Sequence, residues 1–156
     1  MKKQTFILIT ATSWALLFAR EAAGDNASTT AALRSRIINN AKQYIGTMYN
    51  YGGKSEAGFD CSGFVQFIYR GIGIMLPRTA AGQFDGGVKI ELAKAAPGDL
   101  VFFKIDGEKI THVGIYVSNS EFIHAPSTGG RVSIENMGKE YWKTRYAGAV
   151  TYIKKR

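Results

Sequence analysis

Gly58-Phe59-Asp60-Cys61-Ser62-Gly63-Phe64 is the stretch on which the reading of this chain turns. It joins a loop rich in glycine, Tyr51-Gly52-Gly53 to Gly58, to a segment from Gly63 to Arg70. In that segment Phe64, Val65, Phe67 and Ile68 recur at helical spacing, and Gly71 ends it. Cys61 is the only cysteine among 156 residues, and it falls where the helix starts. The first N–H groups of a helix lack partners within it, and the helix dipole adds partial positive charge there. A thiol at that point is expected to ionise more easily, and the thiolate is the nucleophile.

Composition sets the frame. A length of 156 residues, 46% of them hydrophobic and 21% charged, fits one domain with its own core. The 20 Lys and Arg outnumber the 12 Asp and Glu, giving +8, which suits an anionic partner such as wall polymer. Nucleic acid has only the charge in its favour and no motif, so none is expected as a partner. Residues 1–24 read as a secretory signal: Lys2 and Lys3 precede the apolar run Phe6 to Ala19, and Ala22-Ala23-Gly24 offers a cleavage site. That run of 14 residues is short for a membrane span. With no cysteine in the signal region there is no site for a lipid anchor. The mature chain is therefore expected to be exported, periplasmic or secreted, monomeric and without a stable membrane anchor. One cysteine in an oxidising compartment forms no internal disulfide, so Cys61 is either apolar filler or a working thiol.

After a linker at 25–30, a domain spanning 31–156 is expected. A helix from about Thr30 to Thr47 places Leu33, Ile37, Ala41, Tyr44 and Ile45 on its inner face, with Arg34, Arg36, Asn40 and Lys42 elsewhere. Leu76-Pro77-Arg78-Thr79 opens a short helical segment to about Gln83, and Asp85-Gly86-Gly87 is read as a turn. Strands are then predicted at 100–104, 112–117, 121–125, 131–134 and 146–153. Helices followed by consecutive antiparallel strands make the class α+β, with a sheet of about five strands.

His112 and His124 are the only two histidines, and they flank Ser118-Asn119-Ser120. If a three-residue loop pairs Val117 with Glu121, then Ile115 faces Ile123, Gly114 faces His124 and His112 faces Pro126. Parity along each strand then puts both histidines on one face as diagonal neighbours, with Val113, Ile115, Val117 and Ile123 on the other. A two- or four-residue loop separates them. One histidine could take the thiol proton while the other orients it. Cys61, His112, His124 and Asp60 are also competent zinc ligands, but no second cysteine or C-x-x-C pair accompanies them. No metal or cofactor is expected.

Six segments together resemble the NlpC/P60 cell-wall peptidases. They are Tyr49-Asn50-Tyr51-Gly52-Gly53, Asp60-Cys61-Ser62-Gly63-Phe64, Leu76-Pro77-Arg78-Thr79 with Gln83, Pro97 to Phe103, His112-Val113-Gly114-Ile115-Tyr116 and Phe122-Ile123-His124-Ala125. The resemblance implies a papain-like fold and hydrolysis of peptidoglycan stem peptides, typically between D-glutamate and a diamino acid. It implies Cys61 as nucleophile, His112 as base and then acid, and His124 as orienting residue. It places the Tyr49 hydroxyl near the oxyanion, and Asp60 and Ser62 where some members contact the substrate's amino end. Asp60 reads equally as a helix N-cap, Ser62 as a first-turn residue facing solvent, and Arg78 as a carboxylate ligand or a structural ion pair. An amidase or acyltransferase of the same fold and a non-catalytic wall-binding module are the alternatives.

Overall fold

The computed structural model describes residues 29–128 and 130–153. The signal segment 1–24 lies outside them. The described residues open on helix α1 over 29–43, which includes Thr29 and Thr30. Strands β1 (Lys54–Ser55) and β2 (Gly58–Phe59) form a small hairpin that leads into α2 (Cys61–Arg70). Then come α3 (Ala80–Gly86), β3 (Val88–Ile90) and a single 3-10 turn (Leu92–Lys94). The remainder is β4 (Leu100–Phe103), β5 (His112–Ser118), β6 (Glu121–His124), β7 (Ser133–Asn136), α4 (Glu140–Lys143) and β8 (Tyr146–Thr151).

The class is α+β, but the sheet has six strands, in the order β3-β8-β4-β5-β6-β7, all pairs antiparallel. The additional strand is β3. It is three residues long with Val88 and Lys89 exposed, an edge strand held by β8 some sixty positions away, so no local pattern marks it. Asp85 and Gly86 end α3 and Gly87 caps it, where a turn was expected. Thr79 starts that helix by accepting from the Gly82 N–H at 3.1 Å.

The sheet is covered on both sides, which explains why Leu100-Val101-Phe102-Phe103 is apolar without alternation: all four are fully buried. Leu100, Phe102, Val113, Ile115 and Ile123 pack with Ile37 and Ala41 of α1 and with Phe64, Val65 and Ile68 of α2. Val101, Phe103 and Phe122 pack on the other side with Met137 and Trp142. Arg34, expected on the outer face of α1, instead turns inward. Its guanidinium bonds Asp99 Oδ1 at 2.9 Å and the Pro97 carbonyl at 2.8 Å, because Asp99 is 1% exposed and needs a cation. Ile45, expected on the inner face, is 46% exposed beyond the helix end.

Candidate active site

Helix α2 begins at Cys61 because Asp60 caps it. Asp60 is extended, and its Oδ1 accepts from the Gly63 N–H at 2.7 Å. The same carboxylate receives the Arg78 guanidinium, Nη1 to Oδ1 at 3.0 Å and Nη2 to Oδ2. It also accepts from the Gly52 N–H at 3.1 Å, tying the glycine loop to the helix start. Asp60 is therefore a cap and Arg78 its ion-pair partner. Ser62 does not face solvent: it is 6% exposed, and its hydroxyl donates to Asp60 Oδ1 and accepts from Arg78 at 3.0 Å. Gln83 closes the group from α3, donating to the carbonyls of Ser62 and Pro77, both at 2.9 Å.

The hairpin β5-β6 positions the histidines. Ile115 pairs with Ile123 and Tyr116 with Phe122, the expected register. The connection differs from expectation. Ser118 pairs with Glu121, so the loop is the two residues Asn119 and Ser120, both left-handed at φ 50° and 65°. A bulge between Tyr116 and Ser118 adds one residue to β5 and restores the parity that a two-residue loop alone would invert. The histidines thus share a face. His112 Nε2 lies 2.8 Å from His124 Nδ1, with the rings edge to face at 88°.

Both histidines are buried, at 7% and 0% exposure. Burial holds His112 at about 4, against an ordinary value of 6.5, and lowers His124 as well, with the neighbouring His112 adding to the effect. One proton lies in this contact; where His112 Nε2 carries it and donates to His124 Nδ1, His112 Nδ1 is left as an acceptor. His124 Nε2 is buried with no partner among the described residues. Trp142, from α4, lies nearly parallel to His112 at 5.6 Å and edge-on to His124 at 5.1 Å. Sequence reasoning passed over Trp142 and α4 entirely. The available signal was that Trp142 is the only tryptophan outside the signal segment.

Cys61 is half-buried and free. Its Sγ lies 3.7 Å from the carbonyl oxygen of Thr111, the residue before His112, and this bond takes the place of a direct one to the imidazole. Burial pushes the thiol pKa up, and the Asp60 carboxylate adds to this; the N–H groups of Val113, Ser62 and Cys61 pull it down by less. The expectation of an easily ionised thiol is thus corrected. The positive end of α2 is already occupied by its cap carboxylate, so the helix start alone does not activate Cys61. Tyr49 bridges to Phe59 beside it, with its hydroxyl pKa raised by burial first and by Cys61 next.

No group of three or more His, Cys, Asp or Glu able to hold a metal ion occurs among the described residues. No helix among them is long and apolar enough to cross a membrane.

Comparison with known proteins places this geometry. The profile of the NlpC/P60 family matches residues 46–151. Murein DD-endopeptidase MepS/Murein LD-carboxypeptidase of Escherichia coli K12 is 40% identical over 115 residues, 73% of this chain and 60% of the relative. Murein DD-endopeptidase MepH of the same organism is 40% identical over 117 residues, covering 72% and 43%. Gamma-DL-glutamyl hydrolase of Bacillus subtilis is 42% identical over 118 residues, covering 73% and 28%. The chain thus matches less than two thirds of the length of each of these relatives. Among solved structures, an NlpC/P60 family protein from Bacillus cereus superposes with a TM-score of 0.74 at 34% identity, over 78% of this chain and 40% of the other. The NlpC/P60 domain of the peptidoglycan hydrolase SagA gives 0.67 at 33% identity, over 76% and 97%. With the family profile spanning two thirds of the sequence and that fold superposing on it, this chain belongs to the NlpC/P60 family.

Proposed function

We propose that the chain is an exported cysteine endopeptidase that hydrolyses peptidoglycan stem peptides at the bond from D-glutamate to a diamino acid. The observation that carries this reading is the 2.8 Å contact of His112 Nε2 with His124 Nδ1, on a strand whose preceding residue receives the Cys61 thiol. It leaves His112 Nδ1 as the one imidazole atom free to take the proton from Cys61. Two effects oppose that transfer in the empty cleft, since burial raises the thiol and lowers the imidazole. Mutual attraction of the resulting charges acts the other way, by about 4 kcal/mol for a pair about 4 Å apart at an effective dielectric of about 20.

The thiolate attacks the amide carbon, and the Cys61 N–H with the Tyr49 hydroxyl receives the oxyanion. His112 then protonates the leaving amine, water attacks the thioester, and the thiol is restored. His124 holds the His112 tautomer throughout. Asp60, Ser62 and Arg78 form a fixed polar wall beside the nucleophile, suited to the amino end of the acyl half. Peptidoglycan or its muropeptides are the partners, and no cofactor takes part.

A second reading moves the cut to the cross-link. It is favoured by the 40% identity to MepS and MepH, both named murein DD-endopeptidases. Mass spectrometry of purified peptidoglycan digested by the protein separates the two. New D-glutamate carboxyl termini support the first reading, and monomers released from cross-linked dimers with intact stems support the second. An undigested wall overturns both.

A further inference from the structure

His124 is fully buried, and its Nε2 is a polar atom left without a hydrogen-bond partner among the described residues. Its Nδ1 is engaged by His112. Two further rings pack on this imidazole: Phe122, tilted at 50° with centroids 4.8 Å apart, and Trp142, near-perpendicular at 85° and 5.1 Å. Trp142 is itself 8% exposed and clamped against Phe103 at 4.9 Å and Phe122 at 5.0 Å, so its indole is fixed in place. The same indole stacks on the His112 ring at 26° and 5.6 Å. One side chain thus touches both imidazoles, in two different ways.

The two contacts differ in chemistry. The face of an aromatic ring is negative, so it accepts weakly from an N–H and repels a lone pair. A perpendicular ring contact is the geometry in which an N–H meets such a face. In this dry surround a bare Nε2 would find no donor, whereas a protonated Nε2 has the indole to point at. We propose that Trp142 is the positioning residue of the histidine pair: its ring holds the proton of neutral His124 on Nε2, which makes Nδ1 the acceptor, puts the His112 proton on Nε2 and leaves His112 Nδ1 bare. The inference rests on the peptidase reading above, in which that bare nitrogen takes the proton of Cys61. Once it has done so His112 is a cation, and the stacked indole favours the charged ring over the neutral one. Phe122 does not substitute, because it is tilted and its face attracts a cation less than an indole does.

Nitrogen-15 NMR of the imidazoles at pH 7 reads the tautomers directly, and with two histidines in the chain His112→Asn assigns them. The wild-type protein, Trp142→Phe and Trp142→Leu are compared, with kcat and KM measured on soluble muropeptides. The expected wild-type spectrum has the proton of each imidazole on Nε2. Trp142→Leu, apolar and without a ring face, is expected to populate the Nδ1 proton on His124 and to lower kcat about tenfold at unchanged KM, the joint worth of one weak N–H contact and one cation–π contact. Trp142→Phe is expected to restore the Nε2 protons and part of kcat. Should Trp142→Leu not fold, Trp142→Met, unbranched and apolar, takes its place. A wild-type His124 protonated on Nδ1 overturns the proposal whatever the variants do, and so does a Trp142→Leu spectrum identical to that of the wild type. Wild-type tautomers as stated, with no cleavage of muropeptides, overturn the peptidase reading and leave the ring contact standing.

Discussion

At the scale of single residues, the proposed mechanism makes Cys61, His112 and His124 act as a unit. Cys61→Ser and His112→Ala are each expected to abolish hydrolysis with the fold retained, checked by muropeptide release and circular dichroism. His124→Ala is expected to cost less, because in the proposed mechanism His124 orients and does not react; residual turnover above that of His112→Ala is the expected result. Tyr49→Phe would remove one of the proposed oxyanion donors, and kcat is then expected to fall about a hundredfold with little change in KM. Asp60 has an effect opposite in sign to its role as a cap. Its carboxylate raises the Cys61 thiol, so Asp60→Asn, which keeps an acceptor for the Gly63 N–H, is expected to lower the thiol pKa. The rate of iodoacetamide alkylation against pH reads this directly, and an unchanged or raised value contradicts it.

At the scale of elements, the start of α2 depends on close approach to the glycine loop. A Cβ on Gly63 would overlap the Gly53 carbonyl oxygen, which is backbone and has no rotamer to change. Gly63→Ala is expected to cost about 1–3 kcal/mol, read from the urea midpoint. The β5-β6 hairpin is the other sensitive element. Asn119 and Ser120 both hold positive φ, and the bulge before them keeps His112 and His124 on one face. The sequence showed the polar turn but not its length, since Ser118-Asn119-Ser120 fits a two- or a three-residue loop equally. The histidine register was legible all the same, because Val113, Ile115 and Ile123 must face the core whatever the turn does.

At the scale of the whole molecule, the buried histidine pair couples stability to pH. His112 has a folded value of about 4, below its unfolded value of 6.5. Between those values the unfolded chain binds more protons, so stability falls as pH drops from about 6.5 and levels off below about 4. The loss from this group is about 3 kcal/mol. Urea unfolding at pH 7 and pH 4 reads a fall to which the lowered His124 also contributes, so His112→Asn is expected to shrink the difference without abolishing it. The same protonation would remove the proposed base, so activity is expected to fall on the acid side with stability. α4 belongs to this scale too. Its four residues carry little helical signal of their own, and it matters because folding brings Trp142 against both imidazoles.

The sequence by itself determined the α+β class, the helix carrying Cys61, five of the six strands of the main sheet and the shared face of the histidines. Each of these rests on periodicity, capping or parity, which act over a few residues. Only the tertiary structure decided the rest. It paired Arg78 with Asp60, turned Arg34 inward to Asp99, added the edge strand β3 and set Trp142 on the histidines. It also reversed the electrostatic reading of Cys61, whose ionisation depends on what surrounds the helix start rather than on the helix alone. Those features join residues far apart in the chain, and burial and pairing between distant segments leave no local pattern to read.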